Sequence, residues 1–340
     1  AAAQPLWSLL MTSPWTFPLP ARCHRADGAM RRVGIEIEFG GLQGQRIAEA
    51  IVGAVGGHAR SLSMAEWAVE DTEIGDLRVE LDSRLVQKLA RDAAEEAVPP
   101  WLADVSDWTS DVVERVASLV LPWEVVTGPV PLDRLDGADR LVAALREAGA
   151  LGTRQAPHYA FGVHLNPELP DLDGATVFAY FKAFLCLKDW LRMRCRPDLA
   201  RVVSPFISDF DGAWVREVVS SDYAPGLEEF MDDYMRANPT RNRSLDMLPL
   251  FAHLDEARLR RFVDDPLVKG RPTLHYRLPN SEVDDPSFSL SGIWGDWLEV
   301  EALAADPERL RQLGDAYARW LMRIRLPFDA GWAKETARWL

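Results

Sequence analysis

The stretch VGIEIEFGG at residues 33–41 carries two glutamates, Glu36 and Glu38, on one side of a candidate strand. Apolar and polar residues alternate along it, which is typical of a strand with one buried and one wet face. At a rise of roughly 3.3 Å per residue the two carboxylates would lie about 6.6 Å apart, close enough to repel each other. We therefore expect a cation between them, and we expect that replacing either one with glutamine relieves this repulsion.

Four further stretches combine apolar residues with groups that bind metals or phosphates. They are 77–83, 121–129, 159–168 and 272–280. The side chains with this chemistry are Glu80, Asp82, Glu124, His164, Asn166, His275 and Arg277. An antiparallel sheet would gather them on one face. Oxygen ligands in this number suit Mg²⁺ or Mn²⁺, Mg²⁺ usually works with substrate phosphates, and an arginine stabilises developing phosphoryl charge.

Solvation alone is the competing explanation, since one face of an antiparallel sheet is commonly wet. Glu80 and Asp82 in particular could pair with Arg78 and Arg84 on an exposed surface, as many surface charges do. The five polar faces, however, carry acids, histidines, an amide and an arginine but no lysine. The complete set therefore favours a metal and phosphate site over a merely solvated face.

The overall composition argues against several classes of protein. The chain has 340 residues, of which 48% are apolar and 26% charged, and its net charge is −14. Nucleic acids and anionic membranes attract basic surfaces, so neither is an expected partner. The three cysteines form no C-x-x-C pair, which disfavours a disulfide framework or a thiolate zinc site. We predict a cytoplasmic protein.

Helical periodicity predicts elements that cover the apolar side of the sheet. Predicted helices lie at 43–57, 84–97, 106–120, 138–149 and 174–195, within 238–263 after a loop, and from Trp297 onward. Residues 197–222 show no period and are expected to be irregular. The expected fold is α+β, with a curved antiparallel sheet, a polar concave face and helices on the other face. We predict an N-terminal arm at 1–30 and one domain at 31–340 with a helical C-terminal part.

The chain resembles the amidoligase family in four motifs, which occur in the order GIEIEFGG, PWEVVTGP, GVHLN and HYRLPN. That family belongs to the carboxylate–amine ligases built like glutamine synthetase and glutamate–cysteine ligase. The resemblance covers about residues 31–300, and the G-x-E-x-E string is its most specific part. It implies a glutamine synthetase-like catalytic domain and an ATP-dependent ligase. Such an enzyme joins a small-molecule or peptide carboxylate to an amine through an acyl phosphate.

The resemblance also implies roles for single residues. Glu36 and Glu38 match the paired metal-binding glutamates, and Glu124 and His164 match further metal positions. Arg277 matches the arginine of a late E-x-R strand and is expected to act in catalysis. The implied cofactors are ATP and two or more Mg²⁺ or Mn²⁺ ions. The remaining candidates for metal or substrate binding are Glu80, Asp82 and Asn166.

Two features depart from the family pattern. Glutamine synthetase has E-x-R where this chain has His275-Tyr276-Arg277, and imidazole is a poorer ligand for Mg²⁺ than a carboxylate. His275 is therefore an altered metal ligand, a nucleotide-binding group or a catalytic group that acts on the amine. Arg241 and Arg243 stand in a string that resembles a phosphate-binding stretch at a different spacing, so they are candidate phosphate ligands. The alternative function is a metal-dependent hydrolase, or an inactive metal- or nucleotide-binding protein on the same fold.

Overall fold

The computed structural model describes residues 17–82, 122–154, 161–195, 208–323 and 331–340. Two predicted helices, at 84–97 and 106–120, lie outside these residues. The described part of the chain combines helices with an antiparallel sheet, as the α+β prediction requires. The division into an arm at 1–30 and one following domain stays a prediction.

One antiparallel sheet of nine strands runs through the described residues. Its strands are β1 (Arg32–Phe39), β2 (His58–Ser63), β3 (Glu66–Glu70), β4 (Leu77–Leu81), β5 (Trp123–Thr127), β6 (Val130–Pro131), β7 (Val163–Pro167), β8 (Leu245–Asp246) and β9 (His275–Tyr276). The order across the sheet is β2-β3-β4-β5-β1-β7-β9-β8, with β6 paired to the beginning of β1. Within the described part of the chain the first and last strands of this order do not pair, so the sheet is open. β1 lies between β5 and β7, where it can align side chains from both.

Alternation of side chains explains the orientation of β1. Ile35, Ile37 and Phe39 are buried on one face, while Glu36 and Glu38 lie on the other and are only partly buried. Successive side chains in a strand point to opposite faces, so a run of this pattern can bury only one side. The two glutamates therefore share the polar face, as the sequence predicted.

Nine α-helices occupy the described residues. They are α1 (Gly44–Val55), α2 (Asp136–Ala148), α3 (Gly174–Cys195), α4 (Gly212–Val219), α5 (Leu227–Ala237), α6 (Leu248–Leu259), α7 (Leu290–Ala304), α8 (Pro307–Leu321) and α9 (Gly331–Thr336). The predictions for α1, α2 and α3 are confirmed. α2 ends at Gly149, whose φ of 102° lies in the left-handed region that glycine adopts readily.

Helices pack on the apolar side of the sheet at both ends. α1 packs against α2 and against β2, β3 and β4. Near the other end, the ring of Tyr276 in β9 lies 6.0 Å from that of Phe184 in α3 and 5.2 Å from that of Trp297 in α7. Burial of such large rings is a major source of stability. The helices thus cover the apolar face of the sheet, and the candidate site residues lie on the polar face.

A buried ion pair fixes the beginning of β1 to the helices. Arg31 is 0% exposed and donates two hydrogen bonds to Glu301 of α7, at 2.7 and 2.6 Å. Glu301 also accepts from the hydroxyl of Tyr180 at 2.8 Å and from the indole of Trp297 at 3.1 Å. Buried charges persist when they are paired and hydrogen-bonded in this way. The network holds the strand with the paired glutamates against α3 and α7.

The last predicted strand, 272–280, is much shorter in the structure. Only β9 forms a ladder, and the flanking residues Thr273 and Asn280 make isolated bridges to the β7 side. Pro272 and Pro279 stand at the two ends of the predicted range. Proline has no N–H to donate to a ladder, so regular pairing is confined to the middle.

Some described elements were not predicted from the sequence. β2 is exposed at every residue, so it lacks the alternation by which strands were recognised. The prediction that 197–222 is irregular was wrong for α4, which begins after Asp211. The carboxylate of Asp211 accepts hydrogen bonds from the backbone N–H groups of Ala213 and Trp214, which is the usual way to cap a helix.

Candidate active site

Four glutamates from four neighbouring strands lie in one row across the sheet. The register pairs Glu38 of β1 with Glu124 of β5, Glu124 with Glu80 of β4, and Glu80 with Glu66 of β3. Like charges directly opposite each other destabilise a sheet. Glu66, at the outer end, forms an ion pair with Arg78. Toward the centre of the sheet the row accumulates negative charge that a bound cation would neutralise.

Glu36 has a different environment on the other side of β1. The register pairs it with His164 of β7, whose Nδ1 lies 2.8 Å from Glu36 Oε2. Asn166 donates to Glu36 Oε1 at 2.9 Å. His275 Nε2 lies 3.7 Å from Oε2, and a guanidinium nitrogen of Arg271 lies 3.5 Å from Oε1. Glu36 is thus held by imidazoles, an amide and an arginine.

The buried ring of His164 lies between the two glutamates of β1. Its Nδ1 faces Glu36, and its Nε2 lies 3.6 Å from Glu38 Oε1. The other oxygen of Glu38 accepts from the backbone N–H of Gly162 at 2.6 Å. Two sets of potential metal ligands meet at this ring, each with ligand atoms within 4.8 Å of one another. The sets are Glu36, His164 and His275, and Glu38, Glu124 and His164.

The two sides of the site have opposite electrostatics. Burial would raise the pKa of Glu36, but the hydrogen bond from His164 and the nearby imidazole of His275 outweigh burial and hold that pKa well below its usual range. Burial raises the pKa of Glu124 well above its usual range, and the charges of Glu36 and Glu38 add to the effect. The carboxylate of Glu36 is therefore compensated by its neighbours, whereas that of Glu124 is not.

Glu80 and Asp82 extend the acidic side of the site. Burial raises the pKa of Glu80, and the charge of Glu66 adds to the rise. Asp82 follows β4, and its charge acts on both Glu80 and Glu124. Arg78 forms its ion pair with Glu66. Arg84, the other arginine expected to pair with Glu80 or Asp82, lies outside the described residues, so the alternative of a paired surface stays untested.

Arg277 is one of the arginines that the fold brings to the site. Burial lowers the pKa of His164, and the positive charge of Arg277 adds to this effect. Arg277 donates to the backbone carbonyl of Arg241 at 2.7 Å. Arg241 itself forms an ion pair with Asp265 at 2.8 Å. Arg241 therefore supports Arg277 through its backbone while its own side chain is engaged with a carboxylate.

Arg243 is engaged in structural contacts. It donates to the side chain of Asn238 and to the backbone carbonyl of Asp209, both at 2.8 Å. Its guanidinium also lies over the ring of Phe210, 5.5 Å from the centroid. Phosphate binding by Arg241 and Arg243 stays a prediction.

Two residues at the site were not among the sequence candidates. Asp246 of β8 is paired with His275 of β9, and its Oδ2 lies 3.8 Å from His275 Nδ1. Arg271 comes from the loop before β9 and lies beside Glu36. A two-residue strand and a loop carry no alternation, so periodicity had no means of finding either residue.

The donor set fits divalent metal ions. Carboxylates are the ligands of Mg²⁺ and Mn²⁺, and imidazole suits several transition metals. Within the described residues, the buried atoms at the site that lack a hydrogen-bond partner include Asn166 Oδ1, Asp246 Oδ2 and His275 Nε2. Buried polar atoms are normally partnered, so these atoms are consistent with a site that binds an ion.

The fold and the site define a mixed helix and open antiparallel-sheet protein with carboxylate and imidazole ligands gathered on one face. Residues 29–299 match the family model described as "Putative amidoligase enzyme", and the chain belongs to this family. Family membership indicates a ligase that forms amide bonds between small molecules. No curated protein and no solved structure matches the chain. None of the helices in the described residues combines the length and apolar character needed to cross a membrane.

Proposed function

We propose that this protein is an ATP- and divalent-metal-dependent carboxylate–amine ligase that forms an amide or peptide-like bond through an acyl phosphate. The observation that carries the proposal is the meeting of two ligand sets at His164, beside Arg277, in a chain of the amidoligase family. Phosphoryl transfer to a carboxylate brings several negative charges together. Two cation positions next to an arginine are suited to neutralise them.

Each of the two ligand sets would hold one metal ion. Glu36, His164 and His275 would hold one divalent ion, and Glu38 with Glu124 would hold a second. Bound Mg²⁺ or Mn²⁺ would supply the charge that holds and polarises the nucleotide phosphates. Both glutamates of β1 already accept hydrogen bonds from β7 and the residue before it, so they are oriented before an ion arrives.

Arg277 is suited to the transferring phosphoryl group. The Arg241 carbonyl fixes one of its nitrogens, and its charge acts on His164 at the centre of the site. A guanidinium held in place in this way stabilises charge that develops on phosphoryl oxygens without having to reorganise. In this proposal Arg277 is the catalytic cation.

The acidic side of the site is suited to the amine. Glu80 and Asp82 continue the negative row beyond Glu124, and such a row attracts the ammonium form of an amine. The amine must lose a proton before it attacks an acyl phosphate. Because burial raises the pKa of Glu80, this carboxylate is a better proton acceptor than an ordinary surface glutamate.

A metal-dependent hydrolase is the second candidate, and one observation favours it. Glu36, His164 and His275 form a set of two imidazoles and one carboxylate, which is a donor set of catalytic zinc in hydrolases. The neighbouring acids, Glu38 and Glu124, have no role in a single-zinc site. The ligase is therefore preferred because it uses both sides of the site.

Nucleotide binding provides the first test. Calorimetry with a non-hydrolysable ATP analogue is expected to show tight binding with Mg²⁺ and much weaker binding in EDTA. Glu38→Gln should lose this difference. Glu73→Gln is the control, because Glu73 is an exposed glutamate paired with Arg140 outside the site. Equal affinity with and without metal would rule out the proposed bridge.

Product formation provides the second test. Pools of carboxylates and amines are incubated with ATP and Mg²⁺, ADP is measured, and new amides are sought by mass spectrometry. The ligase proposal expects ADP only when both a carboxylate and an amine are present. Cleavage of an amide or ester without nucleotide, and without ADP, would favour the hydrolase. Nucleotide binding with neither reaction would favour an inactive binding protein.

A further inference from the structure

A buried aspartate is paired with His275 in the sheet. The β8–β9 ladder pairs Asp246 with His275, so the two side chains share a position across the sheet. Asp246 is 0% exposed, and its Oδ1 accepts the backbone N–H of Leu248 at 2.9 Å. Its Oδ2 has no hydrogen-bond partner within the described residues and lies 3.8 Å from His275 Nδ1.

The other nitrogen of His275 faces the candidate ligands. His275 Nε2 lies 3.7 Å from Glu36 Oε2 and, in the described part of the chain, makes no hydrogen bond. The rings of His275 and His164 meet edge to face, with centroids 5.1 Å apart. One nitrogen of His275 is thus directed to Asp246 and the other to the set formed with Glu36 and His164.

We propose that Asp246 is a positioning residue that makes His275 a metal ligand through Nε2. This creates a position, formed by Glu36, His164 and His275, that prefers Mn²⁺, Co²⁺ or Zn²⁺ to Mg²⁺. The proposal rests on the metal dependence proposed above and names the kind of ion that one of the two positions takes. Glu38 and Glu124 remain the oxygen-rich position, suited to Mg²⁺.

The chemistry of imidazole explains the role of Asp246. A carboxylate beside Nδ1 favours the form of the ring that carries its proton there, which leaves the lone pair of Nε2 for a metal. The distance of 3.8 Å exceeds that of a hydrogen bond, and a small rotation of the ring toward Asp246 would close it. Two imidazoles and one carboxylate form a softer ligand set than carboxylates alone, and such a set favours transition metals over Mg²⁺.

The backbone contact alone does not explain a charged residue at position 246. An asparagine would accept the hydrogen bond from Leu248 equally well and would avoid burying a charge. A carboxylate is warranted where it stabilises a partner of opposite charge or orients an imidazole. The Nδ1 atom of His275 lies 3.8 Å from the unpartnered oxygen.

The test uses Asp246→Asn in the complete chain, with Co²⁺ as the probe. Asparagine keeps the size and the contact to Leu248 but presents an amide N–H to His275 Nδ1, which moves the ring proton to Nε2. Co²⁺ binding is followed by its visible ligand-field absorption, with excess Mg²⁺ present to fill the oxygen-rich position. Loss of the oriented ligand is expected to weaken Co²⁺ binding about 10–100-fold, the usual effect of removing such a partner.

Two controls separate orientation from folding. Asp211→Asn changes another aspartate that accepts backbone N–H groups at the beginning of a helix, and it should leave Co²⁺ binding unchanged. In a His275→Glu background, which has no ring to orient, Asp246→Asn should alter Co²⁺ affinity by less than about twofold. His275→Glu by itself should shift the preference of the position toward Mg²⁺.

The outcomes distinguish this inference from the proposed function. Unchanged Co²⁺ affinity and spectrum in Asp246→Asn, with Mg²⁺-dependent nucleotide binding intact, would overturn the inference alone. Wild-type protein that binds neither metal nor nucleotide would overturn the proposed function. If Asp246→Asn does not fold, as judged by circular dichroism, the comparison of wild type with His275→Glu decides: an identical Co²⁺ spectrum in both would overturn the inference.

Discussion

Glu38 and Glu124 face each other directly across the ladder between β1 and β5. Each also has a further acidic neighbour, since Glu36 lies on the same face of β1 and Glu80 is paired with Glu124. This arrangement raises the energy of the metal-free protein and would favour a bound cation, because the same charges that repel each other attract positive charge.

Replacing Glu124 with glutamine is expected to stabilise the metal-free protein. The change replaces a buried carboxyl group that can ionise only against the charges of Glu36 and Glu38, and it should add about 0.2–1 kcal/mol to the free energy of unfolding. It should also abolish the stabilisation by Mg²⁺, as measured by thermal melting with Mg²⁺ and with EDTA. Glu66→Gln is the control, because Glu66 is paired with Arg78 and its loss should not stabilise the protein. A lower melting temperature of Glu124→Gln in EDTA would contradict the prediction.

The pH dependence of metal-free stability follows from Glu124. Burial raises the pKa of Glu124 in the folded state. The unfolded chain releases this proton near the ordinary glutamate pKa of about 4.3, whereas the folded protein keeps it to higher pH. Stability should therefore fall as the pH rises from that value through the raised pKa. Chemical denaturation of wild type and Glu124→Gln across this range measures the difference between their free energies of unfolding. This difference should be absent at low pH and should increase as the pH rises. A constant difference would contradict it.

The two glutamates of β1 are expected to respond in opposite ways to amidation. Glu36 accepts hydrogen bonds from His164 and Asn166, so Glu36→Gln should destabilise the metal-free protein by about 1–3 kcal/mol, the cost of breaking charged hydrogen bonds. Glu38→Gln should be neutral or stabilising, because it relieves repulsion from Glu124. Chemical denaturation in EDTA measures both. The sequence alone predicts relief of repulsion by either change, whereas the structure predicts it for Glu38→Gln only. Equal stabilisation by both would contradict the structural distinction.

Arg271 is expected to compete with a metal ion for Glu36. Its guanidinium lies 3.5 Å from Glu36 Oε1, and its side chain is 44% exposed. Removing this charge in Arg271→Gln should tighten divalent metal binding by about 2–5-fold, which corresponds to an ion pair worth less than 1 kcal/mol. Calorimetry with Mn²⁺ in the absence of nucleotide makes the measurement. Arg140→Gln, which removes an exposed arginine outside the site, should leave the affinity unchanged.

Arg31 is expected to control stability rather than chemistry. Arg31→Met leaves Glu301 buried without its ionic partner, which should cost about 3–5 kcal/mol of unfolding free energy. Adding Glu301→Leu should recover part of this loss, because an apolar pair replaces the ion pair while Tyr180 and Trp297 lose their acceptor. Thermal melting compares the two variants. If the double variant is no more stable than Arg31→Met, the ion pair is not the source of the effect.

Alternation and helical periodicity predicted much of the fold. β1, α1, α2 and α3 have strong local patterns, and their positions agree with the structure because burial of one face selects both the element and its orientation. β2 and α4 did not follow from the same reasoning. β2 is exposed throughout, and α4 depends on a capping aspartate that was not recognised as such.

The sequence by itself determined which residues could form the site, since residue type and alternation placed Glu36, Glu38, His164 and Arg277 on polar strand faces. Only the tertiary structure decided how they are arranged. Strand order and register depend on contacts between segments far apart in the chain, and these set Glu124 opposite Glu38 and His164 opposite Glu36. The same long-range pairing placed Asp246 opposite His275, and no local sequence pattern predicted this contact.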